Sequence, residues 1–198
     1  MRENTQLMVI AEDYSEDRTT LFGFWLYLMT DVVLFASLFA VYAVLRSNTA
    51  DGPAGAEIFS MPLVATETLL LLSSSFTCGL ALLAAQAGNR AKVLFSLGAT
   101  FILGACFVAI EAIEFAKLVA DGFGPSRSGF LSSYFTLVGT HGLHVSLGLL
   151  WMLVLMAVIF FRDLSRPIMR KLLLMSLFWH FLDIVWIFIF TVVYLLAL

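Results

Sequence analysis

The chain is poor in charge. Of its 198 residues only 13% are Asp, Glu, Lys or Arg, whereas 61% are hydrophobic and the mean hydropathy is +0.98. A water-soluble domain carries about 25% charged residues, so a soluble globule is excluded. No excess of positive charge exists either: the formal net charge is -3. That removes the electrostatic footprint of a nucleic-acid-binding protein. Cysteine is scarce, with Cys78 and Cys106 alone in different apolar runs. Two separated thiols make neither a disulfide framework nor a zinc site, and both are expected to be buried and structural. No internal repeat, low-complexity tract or second domain is visible. A cleavable signal peptide is not expected, because the first twenty residues are acidic and the first apolar run lacks a small-residue cleavage site.

What the chain has instead is five long apolar runs. A spanning helix needs ~20 such residues at 1.5 Å each. The runs predict helices over about 21–45, 63–87, 91–119, 131–161 and 172–198, hence an all-α polytopic membrane protein with one domain over 21–198. Residues 1–20 are expected to be an acidic, solvated tail. They hold five acidic residues (Glu3, Glu12, Asp13, Glu16, Asp17) against Arg2 and Arg18. The connections read as a turn-rich loop from Ser47 to Met61, a hairpin through Gly88-Asn89, a break at 121–125, and a short basic loop from Arg162 to Lys171.

Lys and Arg set the orientation. Arg2, Arg18, Arg90, Lys92, Arg162, Arg166, Arg170 and Lys171 fall on one side, and Arg46, Lys117 and Arg127 on the other. The amino terminus is expected in the cytoplasm and the carboxyl terminus in the periplasm.

Polar residues inside the runs carry most of the information. They are Asp31, Glu67, Glu111, Glu114 and Asp183, with His141, His144 and His180. A charged group at the bilayer centre costs at least ~2.5–3.5 kcal/mol on insertion scales. Spacing of three places His141 and His144 on one helix face, with Trp151 seven residues further on the same side. Gly142 and Ser146 form a small-xxx-small pair that admits a close neighbour. In the fifth run Trp179-His180-Phe-Leu-Asp183-Ile-Val-Trp186 puts His180 and Asp183 together, where the carboxylate can bond the imidazole. Glu111, Glu114 and Lys117 form a ladder with a basic end. Three uses are open: haem or metal ligation through the histidines, a proton or ion path through the carboxylates, or a hydrogen-bonded bundle that docks on a larger complex and holds lipid.

Four stretches resemble subunit III of the haem-copper oxidases, in the five-helix form of bacterial bo-type ubiquinol oxidases. They are Gly23-Phe-Trp-Leu-Tyr-Leu-Met-Thr-Asp31, Glu111-Ala-Ile-Glu114-Phe, Gly139-Thr-His-Gly-Leu-His144-Val and Phe178-Trp-His-Phe-Leu-Asp183-Ile-Val-Trp186. The resemblance covers roughly residues 20–198. It implies a non-catalytic subunit of the inner membrane that packs on subunit I beside subunits II and IV. It implies no haem or metal in this chain; haem b, a high-spin haem, copper and ubiquinol belong to other subunits. It implies phospholipid held in a cleft, with Arg162 at a headgroup position. Asp31 matches an acidic position where mitochondrial relatives carry a carbodiimide-reactive Glu. Glu114 matches a family Glu, and Glu111 a position uncharged in mitochondrial relatives, which also have two extra helices. A structural polar network or lipid cleft is expected from Asp31, Glu67, Glu111, Glu114, His141, His144, Trp151, Arg162, Trp179, His180, Asp183 and Trp186. The alternatives are subunit III of a cytochrome c oxidase, a stand-alone membrane haem protein, or an ion transporter.

Overall fold

The computed structural model describes the backbone of residues 2–50 and 58–197, and the side chains of 18–50 and 58–196. Five helices follow one another: α1 (Arg2–Leu45), α2 (Met61–Gln86), α3 (Arg90–Ala120), α4 (Gly129–Phe161) and α5 (Arg166–Ile189). Each contains a stretch long and apolar enough to cross a membrane. No strand occurs among the described residues. Most of the predicted bounds fall within two residues of the observed ones.

Two ends differ. The helix of the first run begins at Arg2, so the acidic segment is helical in backbone. The fifth helix begins at Arg166 rather than near 172. Pro167 lies in its first turn, where the missing N–H costs nothing and the fixed φ suits a helix. The basic loop is thereby cut to residues 162–165. Beyond Ile189 the chain stays helical but changes winding, through a π-turn (Phe190–Tyr194) and a 3-10 turn (Leu195–Ala197). The turn-rich part of the Ser47–Met61 loop falls largely on residues 51–57, outside the described residues.

The connections are built by local chemistry. After α2, Gly88 adopts φ +68°, Gly88 N–H donates to Ala85 O and Asn89 N–H to Ala84 O. That left-handed cap closes the helix and favours glycine. Asn89 then begins α3, its side-chain oxygen accepting from Lys92 N–H at 3.1 Å. The same cap ends α3, with Gly122 at φ +83° and Phe123 N–H donating to Leu118 O at 2.8 Å. Ser128 opens α4 by accepting from Leu131 N–H at 3.2 Å. Arg90 at the α2–α3 turn donates to Phe160 O and lies 3.8 Å from Asp163. The α2–α3 and α4–α5 turns therefore lie at one end of the bundle, as alternating spans require.

The chain divides into two compact units, Met1–Leu34 and Phe35–Leu198. In the first, the described side chains belong to one helix, on which the Tyr27 hydroxyl bonds Asp31 one turn ahead. In the second, α2 packs on α3, α3 on α4, α4 on α5 and α5 on α2, closing a four-helix ring. The last turns of α1 join it through Phe35 against His141, His144 and Phe181, and through Tyr42 against Phe130. Outward residues are strongly apolar: Phe95 and Phe161 are each 80% exposed. A water-facing surface of this kind is not found on a soluble monomer, whereas lipid tails solvate it.

Without a hydrophobic drive between helices in lipid, close van der Waals packing has to hold the ring together. Trp179 shows how. A Cβ on Gly104 of α3 would stand 2.8 Å from its ring, and one on Gly148 of α4 3.1 Å. The indole of α5 is thus wedged into notches of two neighbouring helices, and its Nε1–H donates to Ser74 Oγ of α2 at 3.0 Å. One residue ties all four helices.

Candidate functional site: two polar regions of the helix ring

The first polar region lies inside the ring. Glu67 of α2 is 1% exposed, and Glu111 and Glu114 of α3 are 4% and 9% exposed. The three carboxylates are within electrostatic reach of one another. Spacing of three on α3 turns Glu111 and Glu114 to the same face, as the ladder pattern predicts. Glu111 comes so close to α4 that a Cβ on Gly142 would meet its Oε2 at 2.8 Å. The small residue of the Gly139–His144 stretch therefore makes room for a carboxylate.

His141 closes this region. It is 0% exposed. Its ring stacks on Trp186 at 5.4 Å and meets Phe107 edge-on at 6.0 Å. Trp186 is itself fixed by Nε1–H donation to Thr68 Oγ1 at 3.1 Å. Neither nitrogen of His141, nor Oε1 of Glu67 or Glu111, has a hydrogen-bond partner among the described residues. Towards one end, an aromatic layer caps the region: the hydroxyls of Tyr134 and Tyr194 are 3.2 Å apart, with Phe59 5.0 and 4.7 Å from their rings. Glu114 also faces a cavity of about 530 Å³ beside the α2 start and the α3 end, together with Lys117 and Asp121. The acidic cluster thus extends to a mixed-charge mouth.

The second polar region faces outward. His180 and Asp183 do share a face of α5, but no direct bond joins them among the described residues. Ser75 of α2 stands between. Its hydroxyl lies 2.6 Å from His180 Nδ1 and also bonds Asp183. A hydroxyl has one proton and two lone pairs, so it can donate to the carboxylate while accepting from the imidazole. These three residues open on a lateral groove of about 500 Å³ between α2 and α5.

The remaining expected residues have other partners. His144 is half-buried with Nδ1 2.8 Å from Thr140 O, and its ring lies 5.3 Å from Phe35. Trp151 packs its ring 6.0 Å from Phe178. Arg162 is exposed at the α4 end, where its N–H donates to Val158 O. Asp31 belongs to the amino-terminal unit. Cys78 is buried, with Sγ 3.7 Å from Ser176 Oγ. Cys106, expected to be buried too, is exposed on α3, because its position faces away from the ring. Sequence reading passed over Ser74, Ser75 and Thr68, the hydroxyl partners of Trp179, His180 and Trp186. The run Ser73-Ser74-Ser75 inside an apolar stretch was their signal, since hydroxyls in spanning helices bond across helices. Among the described residues no three of His, Cys, Asp and Glu are grouped to hold a metal ion.

Five helices long and apolar enough to cross a membrane, with carboxylates and a histidine buried between them, define a polytopic membrane protein. The family model for cytochrome c oxidase subunit III matches residues 13–198, and the chain belongs to that family, the subunit III family of the haem-copper oxidases. It is 60% identical over 187 residues to cytochrome bo(3) ubiquinol oxidase subunit 3 of Pseudomonas aeruginosa, covering 93% of this chain and 90% of the relative. It is 44% identical to quinol oxidase subunit 3 of Bacillus subtilis, over 91% of this chain and 89% of the relative. It is also 45% identical to cytochrome c oxidase subunit 3 of Bacillus sp. PS3, over 92% and 88% respectively.

Proposed function

We propose that this chain is the non-catalytic subunit III of a proton-pumping ubiquinol oxidase in a bacterial inner membrane. The observation that carries the reading is the 60% identity to a ubiquinol oxidase subunit 3 across nearly the whole of both chains. In this reading the chain packs on subunit I, with subunits II and IV in the same complex. Haem, copper and quinol are handled by the other subunits, and the amino terminus lies in the cytoplasm. The preponderance of Lys and Arg at the bundle end with the α2–α3 and α4–α5 turns supports that orientation.

The chain's own task is structural. The wedged Trp179 and the buried Glu67 and Glu111 favour a rigid ring that braces subunit I and supports its proton uptake indirectly. Phospholipid is held against the bundle, with Arg162 and the mixed-charge mouth around Lys117 suited to headgroups. Asp31→Ala should then leave the initial rate of oxygen reduction intact and shorten the time to turnover-dependent inactivation. Immediate loss of turnover in a fully assembled variant would instead assign Asp31 a direct proton role.

A second reading, subunit III of a cytochrome c oxidase, is favoured by the 45% identity to the PS3 subunit. One experiment separates them. A tagged chain is purified from native membranes in mild detergent, and subunit bands, visible spectrum and oxygen consumption are recorded with quinol and with reduced cytochrome c. Haem-bearing partners and quinol-driven respiration are expected. Respiration on cytochrome c alone would select the second reading, and a chain that purifies by itself would overturn both.

A further inference from the structure

Glu114, Lys117 and Asp121 follow one another on α3 at spacings of three and four, so they stand in a row along one face of the helix. All three line the cavity of about 530 Å³ beside the α2 start and the α3 end. Among the described residues none of their side chains makes a hydrogen bond, and the one ion pair joins Arg90 and Asp163 instead. Glu114 is 9% exposed, and its oxygens, unlike Oε1 of Glu67 and Glu111, keep open surface where the residue lines the cavity. A cation and two carboxylates thus face the same space without using one another.

Their order along the bilayer normal is specific. Asp121 caps the end of α3 and is outermost, Lys117 lies one turn deeper, and Glu114 a further turn. The rise of 1.5 Å per residue spreads them over about 10 Å, from the headgroup layer to the edge of the hydrocarbon. Leu63, Ile110 and Ile113 give the cavity an apolar wall, and Ile113 is 54% exposed, so the cavity opens sideways toward lipid. A diacyl phospholipid presents the complementary series: acyl tails, ester carbonyls, a phosphate, then the terminal group. The tails fit the apolar wall. A protonated Glu114 carboxyl can donate to an ester carbonyl, and the Lys117 ammonium pairs with the phosphate. Asp121 then calls for a terminal group that carries both positive charge and N–H donors. Ethanolamine has both. Glycerol has no charge to offset the carboxylate, choline has no N–H, and serine adds a second carboxylate. One lysine against two acids also disfavours a lipid of net negative charge.

We propose that the cavity between the α2 start and the α3 end binds one molecule of phosphatidylethanolamine, its phosphate on Lys117 and its ammonium on Asp121. This inference rests on the phospholipid retention proposed above. It adds a place, at the opposite end of the bundle from Arg162, and a headgroup.

The test uses the assembled complex. A benzophenone-bearing amino acid replaces Ile113 in the tagged chain. The complex is purified in mild detergent and reconstituted into vesicles of equal parts phosphatidylethanolamine, phosphatidylglycerol and phosphatidylcholine. After irradiation, adducts at position 113 are identified by mass spectrometry. The ethanolamine lipid should exceed each of the others about threefold, as one exposed ion pair allows, and Asp121→Asn should remove that preference. Lys117→Met should cut the total lipid adduct about fivefold. Lys117 and Asp121 are both exposed, so neither change disturbs the packed ring. Equal labelling of the three lipids, or a preference that survives Asp121→Asn, overturns the headgroup assignment and leaves phospholipid retention standing. An intact complex in which position 113 labels only protein, or nothing, overturns the site itself. A tagged chain that purifies without partners overturns the subunit reading, while its lipid adducts still decide this proposal.

Discussion

Two regions of one helix ring each hold buried carboxylate and imidazole groups, and they are finished differently. Around Glu67, Glu111 and His141 every wall is protein, with Trp186 and Phe107 sealing the histidine. Around His180 and Asp183 one wall is missing, and Ser75 alone links the pair. In the inner region the notch at Gly142 is filled by the Glu111 carboxylate, whereas the outer has been left with open space above Gly79. The same small residue thus has opposite uses. Inside the ring it receives a side chain of this chain; on the flank it leaves its backbone uncovered by any other part of the described chain.

Substitution at those glycines gives the largest contrast. Gly142→Leu drives atoms into the Glu111 carboxylate and should destabilise the folded chain by about 3 kcal/mol, the upper end for overpacking. Gly79→Leu enters open space and should leave the unfolding midpoint of the isolated chain within 1–2 °C (roughly 0.5 kcal/mol). Thermal unfolding of both variants in detergent tests the pair, and equal losses would erase the distinction between the two regions. Trp179→Phe is next. It removes the Nε1–H bond to Ser74 and leaves a void between α3 and α4, for an expected loss of about 2 kcal/mol in the same assay. Ser75→Ala is the smallest. Hydrogen bonds between spanning helices average about 0.6 kcal/mol, so the bundle should barely soften. The imidazole signal of His180 should nevertheless move in an NMR spectrum, because its Nδ1 loses its partner. An unchanged signal would mean that the serine is not the link.

Hydropathy made the number and length of the helices readable, because a spanning segment must be apolar over ~20 residues whatever it touches. Glycine chemistry made the turns at Gly88 and Gly122 readable for the same local reason. Pro167 was legible only by its position in the turn: it breaks a helix interior but starts a helix well, and the start of α5 moved accordingly. Azimuth was the part that stayed hidden. An apolar helix in lipid is apolar all round, so period carries little sign of which face is inward. Cys106 was expected inside and is outside, while Ser75 was unremarked and bridges two candidates. The pairing of His180 with Asp183 by spacing was right about the face and missed the intermediary, which comes from a helix about a hundred residues earlier.

The turn between α2 and α3 bears on how freely those spans can shift. Gly88 ends one helix and Asn89 begins the next. With no slack between them, neither helix can slide along the bilayer normal by more than about a turn while the other stays behind. Glu67 and Glu111, one on each arm, are therefore kept at a fixed relative depth by the short turn between Gln86 and Arg90.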